Sequence, residues 1–153
     1  MLNLGYGIYL KYLDKIEVEK YFDKNNSKIL MVLEIEKIDL IKGIYKKDSE
    51  ENNVDKNLYL VNDTDPTKKE PIVIAGHNGN SLTAYFNELS KLDLNDNIKI
   101  HYKDKIYSYK LTKKYQSEKT GELNLSNEQD KIYLTTCSDD NKEQVIYEAK
   151  KLF

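Results

Sequence analysis

The stretch KIYLTTCSDDNKEQVIYEA, residues 131–149, contains the only cysteine of the chain, Cys137. The segment KIYLTTC before it is typical of a buried strand. The acidic segment SDDNKE after it is typical of a loop, and QVIYEA predicts the next strand. A buried structural cysteine behaves as a small hydrophobe, but Cys137 is followed at once by polar residues. The pattern therefore predicts a cysteine at the mouth of a strand, on the rim of a β-rich domain.

The composition suits one globular domain and excludes several classes of protein. The 153 residues are 39% hydrophobic and 33% charged, with a net charge of −2 and basic residues that are all lysine. This balance lacks the basic footprint of a nucleic-acid-binding protein, so no nucleic acid is expected as a partner. One cysteine excludes both an internal disulfide and a zinc site built from several cysteines.

The first 26 residues predict a helix that precedes the main domain. Apolar residues recur there at steps of three and four and mark one face of a helix that runs to about Tyr21. The members of this predicted apolar face are Leu2, Tyr6, Tyr9, Leu13 and Ile16. We expect this segment either to dock on the domain or to be the trailing end of a membrane anchor. The main domain is then expected to span residues 27–153.

The rest of the chain predicts about eight short strands and one internal helix. Turn signals separate the strands at the spacing typical of a barrel or a sandwich. Ser81–Leu92 predicts the helix, which Ser81 would cap. The predicted strands are 28–38, 42–46, 57–62, 71–77, the two halves of a hairpin over 97–115, 131–137 and 144–149.

The chain has two histidines, and they occupy different kinds of position. His77 ends the apolar run PIVIAGH, next to a glycine, whereas His101 lies inside a strand of the predicted hairpin. A thiol becomes a nucleophile when a nearby base or cation favours the thiolate. Because His77 and Cys137 each end a hydrophobic strand, they can meet on one rim of a barrel. We therefore expect His77 to be the partner of Cys137 and His101 to lie elsewhere.

Two long segments together resemble the sortase family. They are IVIAGHNGNSLTAYFNELSKLDLNDNIKIHY, residues 72–102, and IYLTTCSDDNKEQVIYEA, residues 132–149. The family pattern has a strand ending in Gly-His, a helix, a hairpin, and then a strand written Thr-Leu-x-Thr-Cys. Here Tyr133 replaces only the first Thr of that last motif. The resemblance extends from about Lys28 to the C-terminus and is closest to class A, class D and clostridial sortases.

The resemblance implies an eight-stranded barrel and a cysteine transpeptidase anchored at the extracellular face of a bacterial membrane. It implies that Cys137 attacks a backbone carbonyl in a sorting signal similar to Leu-Pro-x-Thr-Gly, and that His77 protonates the leaving amine. An amine of a cell-wall precursor or a pilin would then resolve the thioester. The residues flanking the two motifs are expected to bind the substrate: Ala75, Asn78, Leu134 and Thr136.

The chain departs from the family at one position of the site. Sortases place an arginine at the start of the strand after the cysteine, where it holds substrate and stabilises the oxyanion. Here Gln144 takes that place, and Lys142 is the nearest cation. An amide donates hydrogen bonds without charge, while a lysine is charged but lacks the planar fork of arginine. We expect Gln144 to supply the donor, with Asp139 and Asp140 adding negative charge near the thiol.

Two alternatives to transpeptidation remain open on the sequence. In the first, water resolves the thioester and the protein is a cysteine hydrolase. In the second, the domain keeps the fold but only binds wall peptides, a reading that the missing arginine favours. No cofactor is expected, although four carboxylates offer a calcium site like that of class A sortases: Glu50, Glu51, Glu118 and Glu122.

Overall fold

The computed structural model describes residues 4–119, 130–137 and 142–153, which form one helix and eight strands. Two short 3₁₀ helices, Glu36–Ile38 and Leu89–Lys91, join the regular elements. The helix and strands, in chain order, are α1 Leu4–Phe22, β1 Ile29–Ile35, β2 Leu40–Tyr45, β3 Tyr59–Leu60, β4 Ile72–Ala75, β5 Asn97–Tyr102, β6 Lys105–Glu118, β7 Lys131–Cys137 and β8 Glu143–Lys151.

The strands form a single sheet in the order β2-β1-β5-β6-β8-β7-β4-β3, curled into a nearly closed barrel. All neighbours are antiparallel except β4 and β7, which run parallel. Side chains bridge the gap between the two end strands. Asn52 accepts a hydrogen bond from Leu60 N at 2.7 Å and donates to Lys47 O at 3.0 Å. The mainly β, eight-stranded prediction is confirmed.

The core fills the inside of the barrel with side chains from the inward-facing positions of the strands. These positions alternate along each strand, since successive side chains point to opposite faces. The predicted hairpin is confirmed: Tyr102 pairs with Lys105, and Lys103 takes the positive φ of 54° that the tight turn requires. Representative fully buried core residues are Met31, Leu33, Ile44, Leu60, Ile74, Leu89, Ile98, Ile100, Leu111, Ile132 and Leu134.

Helix α1 is present as predicted, but it buries a different face. The predicted apolar face is mostly exposed: Tyr6, Tyr9 and Leu13 lie on the surface. The buried residues are Gly7, Leu10, Asp14 and Val18. The helix is rotated about its axis relative to the prediction, because Asp14 faces the sheet and forms an ion pair with Lys42 of β2 at 2.9 Å. Among the described residues, no helix is long and apolar enough to cross a membrane.

The prediction of an α-helix over Ser81–Leu92 is wrong. This segment forms a series of turns that ends in the 3₁₀ helix Leu89–Lys91. The amide of Phe86 donates to His77 O at 3.1 Å, so it is not available to the carbonyl four residues earlier, as an α-helix requires. Ser81 Oγ accepts from Thr83 N at 3.2 Å in a local turn. A contact with the end of β4 therefore overrides the helical pattern.

Candidate active site

The parallel strands β4 and β7 bring the ends of the two predicted motifs side by side. Ala75, the last residue of β4, pairs with Thr135 of β7. The pairing continues beyond β4, since Gly76 N donates to Thr135 O at 3.0 Å. Two residues further along each strand, the same register places His77 beside Cys137. Neighbouring strands lie about 4.8 Å apart, so these two residues are close neighbours on one rim.

The Cys137 side chain belongs to the outer face of the sheet. Along β7, Ile132 and Leu134 point into the core, so the alternate residues, including Cys137, point outward. His77 lies two residues beyond the end of β4, and its imidazole contacts Asp55 of the loop between β2 and β3. Further down the outer face, three residues form a separate apolar cluster: Val73, Tyr133 and Ile146. The thiol therefore lies on the same face as this buried cluster.

Gly76 lets the end of β4 pack tightly beneath the site. A Cβ atom at this position would lie 2.6 Å from Leu58 Cδ2 and 2.7 Å from Phe86 Cδ2, which are both buried. Such distances are below van der Waals contact, so a larger residue would displace the strand end. The glycine of the Gly-His motif thus fixes the position of the backbone that carries His77.

The loop between β2 and β3 supplies a partner for His77. Asp55 Oδ1 lies 2.8 Å from His77 Nε2, and the two side chains are 77% and 43% exposed. No sequence pattern indicates this contact, because Asp55 lies in a polar run with other acids and no periodicity. Only the folded loop shows which of these carboxylates meets the histidine.

Gln144 lies directly opposite Cys137 on the antiparallel neighbour β8. Directly opposed residues of an antiparallel pair point to the same face, with Cβ atoms about 4.5–5.5 Å apart. The amide of Gln144 therefore projects on the face that carries the thiol. Lys142 is exposed and precedes β8. Asp139 and Asp140 lie outside the described residues.

The four predicted substrate-binding residues divide between the two faces. Ala75 lies on the outer face, and Asn78 Nδ2 donates to Cys137 O at 3.3 Å, which ties the histidine loop to the cysteine strand. Leu134 is fully buried in the core, and alternation turns Thr136 inward, where it is 7% exposed. The side chains of Leu134 and Thr136 therefore support the strand from within, and their role in substrate binding stays a prediction.

Two further sequence expectations concern residues near the site. His101 lies on β5, which β6 and β8 separate from β7, and is thus outside the candidate site. In the described ranges, no three His, Cys, Asp or Glu residues are close enough together to hold a metal ion. Glu122, part of the predicted calcium set, lies outside those ranges, so calcium binding stays an untested prediction.

Comparison with known families decides which family the chain resembles. A sequence model of the sortase domain matches residues 33–152, most of the chain. The chain belongs to the sortase family. The match includes β4, β7 and β8, so the sortase domain holds every residue of the candidate site from Asp55 to Gln144. A search of curated proteins found no match.

Solved sortase structures share the fold. Sortase D5 transpeptidase of Clostridium perfringens is 22% identical with a TM-score of 0.74, over 94% of this chain and 98% of that one. Sortase C1 of Streptococcus agalactiae is 17% identical with a TM-score of 0.71, over 88% and 76%. A lid mutant of sortase A from Corynebacterium diphtheriae is 20% identical with a TM-score of 0.70, over 82% and 70%. At these identities the likeness supports the barrel and its topology.

Proposed function

We propose that this sortase is a cysteine transpeptidase that cleaves a sorting-signal peptide and transfers the acyl product to an amine. The observations that support the proposal are the β4–β7 register and the hydrogen bond from Asn78 to Cys137 O at 3.3 Å, which bring the segment that carries His77 to the end of the cysteine strand. An extended peptide laid across the outer face would present its backbone carbonyl to the thiol. On the same side of the sheet, the buried cluster of Val73, Tyr133 and Ile146 holds β4, β7 and β8 together.

The first half of the reaction forms a thioester. The Cys137 thiolate attacks the carbonyl carbon, a C–S bond forms, and the carbonyl π electrons move to oxygen. Gln144, across from Cys137 on the same face, donates a hydrogen bond to this oxyanion. When the intermediate collapses, the C–N bond breaks and the leaving nitrogen takes a proton from His77.

The second half transfers the acyl group to the acceptor. An amine attacks the thioester carbonyl while His77, now neutral, takes up its proton. A new C–N bond forms, the C–S bond breaks, and the Cys137 thiolate is restored. We propose that the acceptor is an amine of a cell-wall precursor or of a pilin lysine. The substrate is a surface protein that carries a Leu-Pro-x-Thr-Gly-like signal.

We further propose that the enzyme acts at the extracellular face of the membrane, anchored through its N-terminal end. The start of α1 supports this placement, since Leu4, Ile8 and Tyr9 are apolar and exposed. Such side chains are suited to a position close to a lipid surface.

The test is incubation with a library of Leu-Pro-x-Thr-Gly-like peptides, with and without a glycine-based amine acceptor, followed by mass spectrometry of the products. Transpeptidation gives a product joined to the acceptor. Cleavage that yields only the free acid, with acceptor present, would instead establish the hydrolase. Peptide binding without cleavage would establish the binding module, which the missing arginine favours.

A further inference from the structure

The loop between β2 and β3, residues 46–58, reaches His77 through a single side chain. Asp55 Oδ1 lies 2.8 Å from His77 Nε2, and across the described ranges no other acid forms an ion pair with this histidine. An ionised carboxylate only accepts hydrogen bonds, so Nε2 must carry the proton that the contact uses. The other ring nitrogen, Nδ1, is therefore the one left for proton transfer at Cys137.

Hydrogen bonds within the loop hold Asp55 in place. The Asp55 amide donates to Asn53 Oδ1 at 2.9 Å, and the Asn57 amide donates to Asn53 O at 2.8 Å. An acid at the tip of a mobile loop would lose backbone and side-chain entropy on meeting the histidine. These hydrogen bonds already order the loop, so part of the entropy is lost on folding and not on contact with the histidine. Asp55 is therefore held near His77 despite its exposure.

A buried polar cluster connects this loop to helix α1. Lys42 Nζ donates to Asn57 Oδ1 at 2.6 Å and pairs with Asp14 Oδ1 at 2.9 Å. All three side chains are buried, and Tyr45 OH adds a hydrogen bond to Asp14 at 2.7 Å. Burial lowers the pKa of Lys42, and the charge of Asp14 opposes that shift. The residue two positions after Asp55 is thus fixed to the core.

We propose that Asp55 is a positioning residue that holds Nε2 of His77 so that Nδ1 performs the proton transfers, and that the Asp14–Lys42–Asn57 cluster fixes the loop carrying Asp55. This inference rests on the transpeptidase function proposed above. During acylation the scissile C–N bond breaks and its nitrogen takes the proton from Nδ1, while the Nε2 proton stays on the ring toward Asp55. During transfer, Nδ1 accepts the proton of the attacking amine.

The test compares two leaving groups. A peptide that the wild-type protein cleaves is used both as the amide and with a thioester in place of the scissile bond. An amine must be protonated as it leaves, whereas a thiolate leaves without a proton. We expect Asp55→Ala to lower kcat for the amide about fivefold, the size of an exposed ion pair's contribution. Its KM and the rate at which the thioester acylates Cys137, a step that needs no proton from Nδ1, should not change, and Asp55→Asn, which keeps an acceptor oxygen, should recover part of the loss.

Matched variants separate positioning from general damage. Asp48→Ala removes an exposed acid from the same loop and should leave both substrates unaffected. Asn57→Ala, which removes the acceptor of Lys42, should reproduce the amide-selective loss. An equal loss on amide and thioester, or no loss on either, would overturn the role of Asp55 while leaving the proposed function intact. A wild-type protein that is acylated by neither substrate would overturn the proposed function as well.

Discussion

The protein contains two histidine–carboxylate pairs of nearly equal length in different surroundings. His77 Nε2 lies 2.8 Å from Asp55, and His101 Nε2 lies 2.7 Å from Glu34. The His77 side chain is 43% exposed beyond the end of β4, while that of His101 is 16% exposed within β5. The imidazole–carboxylate contact is alike in both pairs, so the residues around each pair must determine its role.

The neighbours of His101 make it part of the packing between helix α1 and the sheet. The ring of Phe22 meets His101 edge-on, with centroids 5.2 Å apart, and Tyr21 OH donates to His101 O at 3.2 Å. In the sheet, His101 pairs with Val32 on one side and Ile106 on the other. His77 instead lies in the segment beside the end of β7, where Asn78 donates to Cys137 O at 3.3 Å. A carboxylate partner alone therefore does not distinguish the two histidines, whereas their positions in the fold do.

The largest expected effect comes from removing each histidine in turn. His77→Ala should lower kcat/KM for peptide cleavage about 10²–10⁴-fold, because the general acid and base is lost. His101→Ala should leave the rate nearly unchanged. Steady-state cleavage by the two variants measures this difference. Comparable losses from both would mean that the two pairs are not functionally distinct.

The next effect concerns the buried support behind Asp55. Asp14→Ala leaves the ammonium group of Lys42 buried without its counter-ion, and we expect the free energy of unfolding to fall by about 3–5 kcal/mol. The double variant Asp14→Leu, Lys42→Met removes both charges and should recover most of that loss. Chemical denaturation measures both variants. A cost below about 1 kcal/mol for Asp14→Ala would show that the pair behaves like an exposed one.

A smaller effect is expected from the proposed oxyanion donor on the rim. Gln144→Ala should lower cleavage about tenfold or more with little change in melting temperature, since Gln144 shares the face of Cys137. Gln144→Arg should keep or raise the activity, and Lys142→Ala should have much less effect. Initial rates of peptide cleavage compare the three variants. A greater loss from Lys142→Ala would assign the role to the cation instead.

The smallest effect is expected at the second histidine pair. Glu34→Gln keeps an acceptor oxygen for His101 but removes the charge, so the free energy of unfolding should fall by about 1 kcal/mol. Peptide cleavage should be unaffected. Denaturation and rate measurements on this one variant are sufficient. A loss of activity without a loss of stability would connect this pair to the chemistry and remove the contrast with His77.

Patterns that depend on near neighbours were predictable from the sequence. The limits of β7, Lys131–Cys137, follow from a run of apolar and β-branched residues that meets a polar loop. The end of β7 at Cys137 was recognisable because an apolar strand gives way to a polar loop, whereas β4 ends at Ala75, two residues before its predicted end at His77. The register between β4 and β7 was not predictable from the sequence, because it depends on pairing between strands about sixty positions apart.

Features that depend on distant polar contacts were not predictable. The buried face of α1 is set by Asp14, whose partner Lys42 lies in another element. The spacing of apolar residues along the helix therefore predicted the wrong face. The amide of Phe86 bonds to His77 O and prevents the predicted helix. Asp55 meets His77 only after its loop has folded. In each case a single tertiary hydrogen bond or ion pair outweighs the local pattern.

The most direct test of the catalytic rim is intact-mass spectrometry after incubation with Leu-Pro-x-Thr-Gly-like peptides in the absence of an amine acceptor. The wild-type protein should gain the mass of one acyl fragment, located at Cys137 by peptide mapping, and His101→Ala should gain it equally. Cys137→Ala should gain nothing, and His77→Ala should gain it far more slowly. An adduct at another residue, or one that forms as fast without His77, would contradict the assignment of this rim as the active site.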